Sequence, residues 1–231
     1  MIVSISQPAY LPWLGYFDRL SKSDIHIVMD HVIMDKNSKT KFTNRNKIRI
    51  PNGWSWLTVP ILSKNNPKDI TINDLKIDNA SSWSNTHFKS IKLNYSNAKY
   101  FSNYENFFEE VYQKKWNDLI SLLKFTTDHL INFLGIKNEI ITSSSLNPIS
   151  SKSDLILELC QKVNAHEYIS GPFGHDYLDL KSFENAGIKV QFHDYLHPVY
   201  SQKFEGFEPN MSIIDLLFNH GNESLKILKH E

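Results

Sequence analysis

Three stretches of this chain concentrate side chains able to hold or activate a small molecule. The first is the opening loop, Gln7-Pro-Ala-Tyr-Leu-Pro-Trp-Leu-Gly-Tyr16, which Pro8 and Pro12 stiffen. A carboxamide donates and accepts hydrogen bonds, so Gln7 suits a polar ligand, while Tyr10, Trp13 and Tyr16 offer flat apolar surface. The same aromatics would serve equally well to cover a core. The second stretch, Asn44-Arg45-Asn46, sets a planar cation between two carboxamides, a group suited to a phosphate, a carboxylate or a nucleotide. Its plainer reading is the exposed lead into a hairpin. The third is His193-Asp-Tyr-Leu-His-Pro-Val-Tyr-Ser-Gln202, in which His193 and His197 are candidate general bases. Pro198 works against a regular helix that would aim both histidines at one ion, so no metal site is expected.

Other polar residues carry weaker signals. Asp18 ends the opening loop and can accept protons. Asp30 falls at the carboxyl end of an expected strand, the edge where parallel sheets place ligands, and is a third candidate base. An aspartate at a loop start also bonds its own backbone. His87 shares a helical face with Trp83 and Ile91, which favours packing. Ser170-Gly-Pro-Phe-Gly174 is a turn at a strand end that lacks the spacing of a dinucleotide or P-loop fingerprint. Ser212-Ile-Ile-Asp215 reads as a capping box before an apolar run.

Composition narrows the classes of function. Across 231 residues, 25 basic and 25 acidic side chains balance, so no net field favours nucleic acid or an anionic membrane, and no nucleic-acid partner is expected. No apolar run approaches the roughly 18 to 20 residues that span a bilayer, and a cytoplasmic location is expected. Cys160 is the only cysteine, which rules out an internal disulfide; its neighbours Leu155, Leu159 and Val163 fall at helical spacing, as for a core residue.

The elements that must position these groups follow an alternating pattern. A strand over Ile2 to Ile5, a helix over Leu14 to Leu20 and a strand over Asp24 to Asp30 form a strand-helix-strand unit, which favours a parallel sheet. Lys47 to Ile50 and Trp56 to Leu62, joined by Pro51-Asn-Gly-Trp54, read as a hairpin. Thr71 to Ile77 alternates as a further strand, separated from the hairpin by a loop containing Pro67. Helices are predicted over Ser82 to Tyr95, Tyr104 to Tyr112 and Trp116 to Leu134, the last stopped by Gly135. Strands over Glu139 to Thr142, Glu167 to Ser170 and Ile188 to Phe192 then alternate with helices over Asp154 to Asn164 and Tyr177 to Ala186. The expectation is a single α/β domain: a mostly parallel sheet flanked by helices, with a β-hairpin and a helical insertion at about residues 82–135.

Taken in order, Gln7-Pro-Ala-Tyr-Leu-Pro-Trp-Leu-Gly-Tyr-Phe17, Asn44-Arg45-Asn46, Trp54-Ser-Trp-Leu-Thr-Val-Pro60, the Tyr195 to Gln202 stretch and Phe207-Glu-Pro-Asn-Met-Ser-Ile-Ile-Asp-Leu-Leu-Phe-Asn219 resemble the WbqC-like family along nearly the whole chain. Ala9 stands where a polar residue is common in such proteins. The resemblance implies a role in bacterial surface-polysaccharide (O-antigen, lipopolysaccharide) biosynthesis, with transfer of glycine or a related aminoacyl or acyl group to an amino sugar or sugar nucleotide. Arg45 and its neighbours would hold an activated acyl donor or a nucleotide-linked sugar, and His197, His193 or Asp30 would take the proton of the attacking amine. The cleft would be lined by the first loop, Asn44 to Asn46, and the segment carrying Tyr195, Tyr200 and Gln202. The opening unit is also similar to nucleotidyltransferase and synthetase folds that use ATP, although Trp13 and Tyr16 stand where paired loop histidines are expected. A noncatalytic sugar-nucleotide-binding module is the third reading.

Overall fold

The computed structural model describes residues 1–34, 42–62 and 70–231. Residues 35–41 and 63–69, the latter including Pro67, lie outside them.

Five short strands form one parallel sheet in the order β5-β2-β1-β6-β7: β1 (Ile2–Ser6), β2 (Ile25–Val28), β5 (Glu139–Thr142), β6 (Glu167–Ser170) and β7 (Lys189–Phe192). Parallel neighbours need crossovers, and here α1 (Leu14–Ser21) links β1 to β2, α5 (Lys152–Lys162) links β5 to β6 and α6 (Leu180–Asn185) links β6 to β7. From β1 the chain moves to one side of the sheet; at β6 it returns to the other side of β1. That reversal opens a crevice at the carboxyl ends of β1 and β6, where open α/β sheets bind ligands.

Alternation along the strands divides the sheet into two chemically different faces. Val3, Ile5, Ile25 and Ile27 pack against Leu155, Ile156, Leu159 and Cys160 of α5 and Phe183 of α6. The Cys160 thiol is buried, and burial pushes its pKa up to about 12, as expected of an inert core residue. The opposite face is polar yet buried. There His26 Nδ1 meets Ser4 Oγ at 2.7 Å, and its Nε2 lies 3.0 Å from Ser6 Oγ and 3.2 Å from the Tyr16 hydroxyl of α1.

A second core is built from the hairpin of β3 (Arg45–Ile50) and β4 (Gly53–Thr58), the helices α2 (Trp83–Tyr95), α3 (Glu105–Gln113) and α4 (Leu119–Leu134), and α7 (Ile213–His220) with α8 (Ser224–Lys229) near the C-terminus. The apolar face of α1 (Leu14, Phe17, Leu20) joins this core. Its polar centre is the Tyr10 hydroxyl, 3.0 Å from His87 Nδ1 and 2.5 Å from the Tyr112 hydroxyl. Another buried centre is Asp215, which accepts from the Tyr95 and Tyr200 hydroxyls and from Gln202 Nε2, each at 2.9 Å.

Several sequence expectations are corrected here. Thr71 to Ile77 is not a strand: Ile72–Asp74 form a 3-10 turn, closed where Thr71 Oγ1 donates to Asp74 Oδ2 at 2.7 Å, with only single-residue bridges on either side. Its alternation reflects the burial of Ile72, Leu75 and Ile77. Helix α4 begins at Leu119 rather than Trp116, because Ile77 N–H bonds to Asn117 O and Lys76 bridges Asp118, holding that stretch extended. The hairpin's second strand starts at Gly53, whose φ of 111° turns the chain at once, and ends at Thr58, two residues before Pro60, which lacks an N–H. Ser212 does cap α7, accepting from Ile214 N at 3.4 Å, but its own N–H is taken by Lys47 O. Asp215 is therefore free of the capping box and turns inward to its three donors.

Burial holds two histidines neutral: it lowers His26 to about 3 and His87 to about 4, from an ordinary 6.5. Their unfolded counterparts bind protons below pH 6.5 while the folded ones do not. Stability is therefore full above pH 6.5 and falls as pH drops toward 4 for His87 and 3 for His26. Urea unfolding at pH 7 and pH 5 is expected to show a loss of about 2 kcal/mol per buried histidine; equal stability at the two values contradicts it.

Candidate functional site

The crevice at the β1/β6 reversal is a cavity of about 540 Å³. Its walls come from the carboxyl ends of three adjacent strands and the loops that follow them. After β1 come Gln7, Pro8, Ala9 and Trp13, with Gly15, Tyr16 and Arg19 on α1; after β6 come Gly171 to Gly174 and Tyr177; after β7 come His193 to Leu196. Phe42 and Thr43 close one side. The rim is rich in aromatic rings, and Trp13 meets Tyr195 edge to face at 5.6 Å while Tyr195 stacks on His193 at 5.7 Å. Such walls suit a sugar or base face.

Two glycines permit close approaches in this wall. A Cβ on Gly15 would sit 2.3 Å from the Trp13 ring, so the ring folds over the first turn of α1 only because that position is bare. A Cβ on Gly171 would sit 2.4 Å from Arg19 Nη1, so the guanidinium lies directly against the β6 loop.

The most organised polar pair is Asp18 with His193. Asp18 is 1% exposed, and its Oδ2 lies 2.6 Å from His193 Nε2 and 2.6 Å from Lys22 Nζ. Burial alone would raise the Asp18 pKa, but the hydrogen bonds from His193 and Lys22 outweigh it and hold the carboxyl below its ordinary value. An ionised carboxylate only accepts, so Nε2 of His193 carries the proton and Nδ1 is the basic nitrogen. Nδ1 has no hydrogen-bond partner among the described residues. A buried carboxylate that fixes the tautomer of a cavity-lining imidazole is an arrangement suited to general-base chemistry.

The sequence-predicted residues divide by location. Gln7, Trp13, Tyr16, His193 and Tyr195 line the cavity, although the Tyr16 hydroxyl is turned to His26 and that of Tyr195 donates to Leu228 O at 3.1 Å. Tyr10, Asp30, Asn44, Arg45, Asn46, His197, Tyr200 and Gln202 are not among its lining residues, so the expected convergence of Tyr10, Arg45 and His197 is not what the fold builds. Tyr10 is wholly buried in its pair with His87 and Tyr112. Asp30 accepts from Ser143 Oγ, Ser144 N, Ser144 Oγ and Asn73 Nδ2; against the opposing effect of burial, these bonds lower its pKa and make it a clamp on the turn after β5. His197 uses both ring nitrogens, with Nδ1 2.8 Å from Pro198 O and Nε2 accepting from Asn210 N at 3.1 Å. Tyr200 and Gln202 serve Asp215.

The Asn44 to Asn46 segment braces the opening loop from behind. Asn46 Nδ2 donates to Leu11 O at 2.6 Å, holding Leu11 at a φ of 43°, and Tyr10 N donates to Phe42 O at 3.0 Å. Asn44 Nδ2 donates to Val59 O, and the Arg45 guanidinium stacks 4.2 Å from the Trp56 ring centroid. Arg19 carries no sequence signal of its own, and Asp18 and the Ser170 to Gly174 turn carry weak ones, although Arg19 and the turn line the cavity and Asp18 holds His193. The available signal is that Asp18 and Arg19 lie on the helix of a strand-loop-helix unit and that the glycine turn ends a strand.

Among the described residues, no helix is long and apolar enough to cross a membrane, and no group of three or more His, Cys, Asp or Glu side chains is placed to hold a metal ion. The fold defines an α/β protein with a crevice at the switch point of its parallel sheet. The chain matches the model of the WbqC-like protein family over residues 7–227 and belongs to that family. It is also similar to Uncharacterized protein Rv1507c of Mycobacterium tuberculosis (strain ATCC 25618 / H37Rv), with 33% identity over 230 residues covering 99% of this chain and 97% of the other. No solved structure matches it.

Replacing Asn46 by Ala removes the brace on a left-handed leucine and leaves Leu11 O without its donor. A loss of about 1 to 3 kcal/mol in denaturant unfolding is expected. Unchanged stability contradicts the bracing role.

Proposed function

We propose that the protein transfers a glycyl or related acyl group from an activated donor to the amine of a nucleotide-linked amino sugar, in the cytoplasm, as a step of surface-polysaccharide (O-antigen) assembly. The observation that carries this reading is the Asp18-His193 pair at the edge of an aromatic-lined crevice. Family membership supports the setting.

In this reading Gln7, Trp13, Tyr16 and Tyr195 position the sugar, and His193 is the catalytic base. The amine nitrogen attacks the acyl carbon, an amide bond forms, and the bond to the donor's leaving group breaks with its electron pair going to that group. The surplus proton on nitrogen passes to His193 Nδ1. Asp18 is a positioning residue: it keeps the proton on Nε2 and stabilises the imidazolium that forms. Asp30 and His197, fully engaged in backbone and side-chain hydrogen bonds, take no part.

The test is steady-state transfer of glycyl and acyl groups to nucleotide-linked amino sugars. His193→Asn is expected to lower kcat by about 10²- to 10⁴-fold with little change in KM, the range for loss of a general base. Asp18→Asn is expected to lower kcat in the same direction, again sparing KM. Wild-type protein that transfers nothing to any amino sugar, or a His193→Asn variant of full activity, contradicts the reading.

A further inference from the structure

Among the described residues, Arg19 is the only lysine or arginine that lines the cavity. It takes part in no ion pair among the described residues, because the neighbouring carboxylate, Asp18, is turned to Lys22 and His193. Its Nε is fully covered and has no hydrogen-bond partner among the described residues. Tyr16, Tyr168 and Tyr177 share the cavity wall with it, and phenols supply no countercharge at neutral pH. Asp194 also lines the cavity but forms no ion pair with the guanidinium, which stands at the carboxyl ends of β1 and β6 without a paired anion among the described residues. A half-buried cation so placed is stabilised by an anionic ligand, and Arg is the side chain suited to paired contacts with phosphate oxygens.

The β6 loop is shaped around this group. Gly171 leaves room for Arg19 Nη1, where a Cβ would lie at 2.4 Å, and a Cβ on Gly174 would lie 2.0 Å from Ser170 Oγ. Bare backbone at both positions brings the loop into the crevice beside the guanidinium.

We propose that Arg19, backed by Gly171, is the subsite for the diphosphate of a nucleotide-linked sugar, a role that Arg45, stacked on Trp56, does not fill. This assignment rests on the sugar-nucleotide reading above and adds where the anion sits. The nucleotide moiety then lies along the aromatic wall on the Phe173 and Tyr177 side, and the sugar reaches toward His193 on the Trp13 and Tyr195 side.

Calorimetric titration with inorganic pyrophosphate and with uridine diphosphate tests it, using acetate and glycine as carboxylate controls. Wild-type protein is expected to bind both diphosphates and neither carboxylate. Arg19→Met should weaken diphosphate binding at least tenfold, and Arg19→Lys should restore part of it. Gly171→Ala, which keeps the charge and displaces the guanidinium, should weaken binding at least fivefold, with near-ultraviolet circular dichroism confirming the fold of each variant. Absence of diphosphate binding by the wild type, unchanged affinity in both Arg19→Met and Gly171→Ala, or Arg19-dependent binding of acetate or glycine in its place overturns the proposal. Binding of diphosphate requires no acyl donor, so a protein that binds it through Arg19 yet transfers nothing supports this subsite and removes the transfer reading instead.

Discussion

The arrangement of the crevice depends on one buried carboxylate. Asp18 lies on α1, the helix that follows β1 and the opening loop, and its partner His193 lies just beyond β7, 175 residues later in the chain. At 1% exposure a carboxylate remains charged only if lost hydration is replaced, and His193 and Lys22 do this at Oδ2, while Oδ1 is buried with no partner among the described residues. Removing one partner of such a buried pair characteristically costs about 3 to 5 kcal/mol, because the other charge is left uncompensated. The contact of Asp18 Oδ2 with His193 also closes the crevice, since it draws the end of β7 toward the first helix and sets the imidazole at the cavity edge.

Other buried polar groups are arranged differently, and the contrast separates scaffold from site. His26 is enclosed by Ser4, Ser6 and Tyr16, His87 by Tyr10, and Asp215 by two tyrosines and a glutamine. These clusters fix the register of the sheet against α1, of α2 against the opening loop, and of α7 against the segment after β7. The His87 and Asp215 clusters lie outside the cavity wall, and the His26 cluster reaches it only through Ser6 and Tyr16. Around the crevice, by contrast, His193 keeps an unengaged ring nitrogen and Arg19 lacks a fixed countercharge among the described residues.

The strand-helix alternation made the parallel sheet legible in the sequence, because β-branched runs such as Ile2 to Ile5 and aliphatic helix faces such as that of α4 have distinct periods. The Thr71 to Ile77 stretch misleads because its buried Ile72, Leu75 and Ile77, spaced three and two apart, approximate a strand's alternation where the backbone turns. The site was only partly legible. The aromatic opening loop and His193 stood out by composition, but Asp30, Arg45 and His197 stood out equally, and nothing local distinguishes a histidine whose nitrogens are both engaged from one with a nitrogen to spare. The pairing of Asp18 with His193 spans most of the chain and follows from sheet order, which a single sequence does not display. Arg19 was passed over because its importance comes from what is missing around it, and Gly171 becomes meaningful only beside Arg19.

The most direct measurement is a crystal structure of the protein with a nucleotide-linked amino sugar. The account places the ligand in the crevice at the ends of β1, β6 and β7, with its amino group within hydrogen-bond reach of His193 Nδ1 while Nε2 stays on Asp18. Occupation of another surface, such as the Arg45 face of the hairpin or the neighbourhood of Asp30, with His193 untouched, contradicts it.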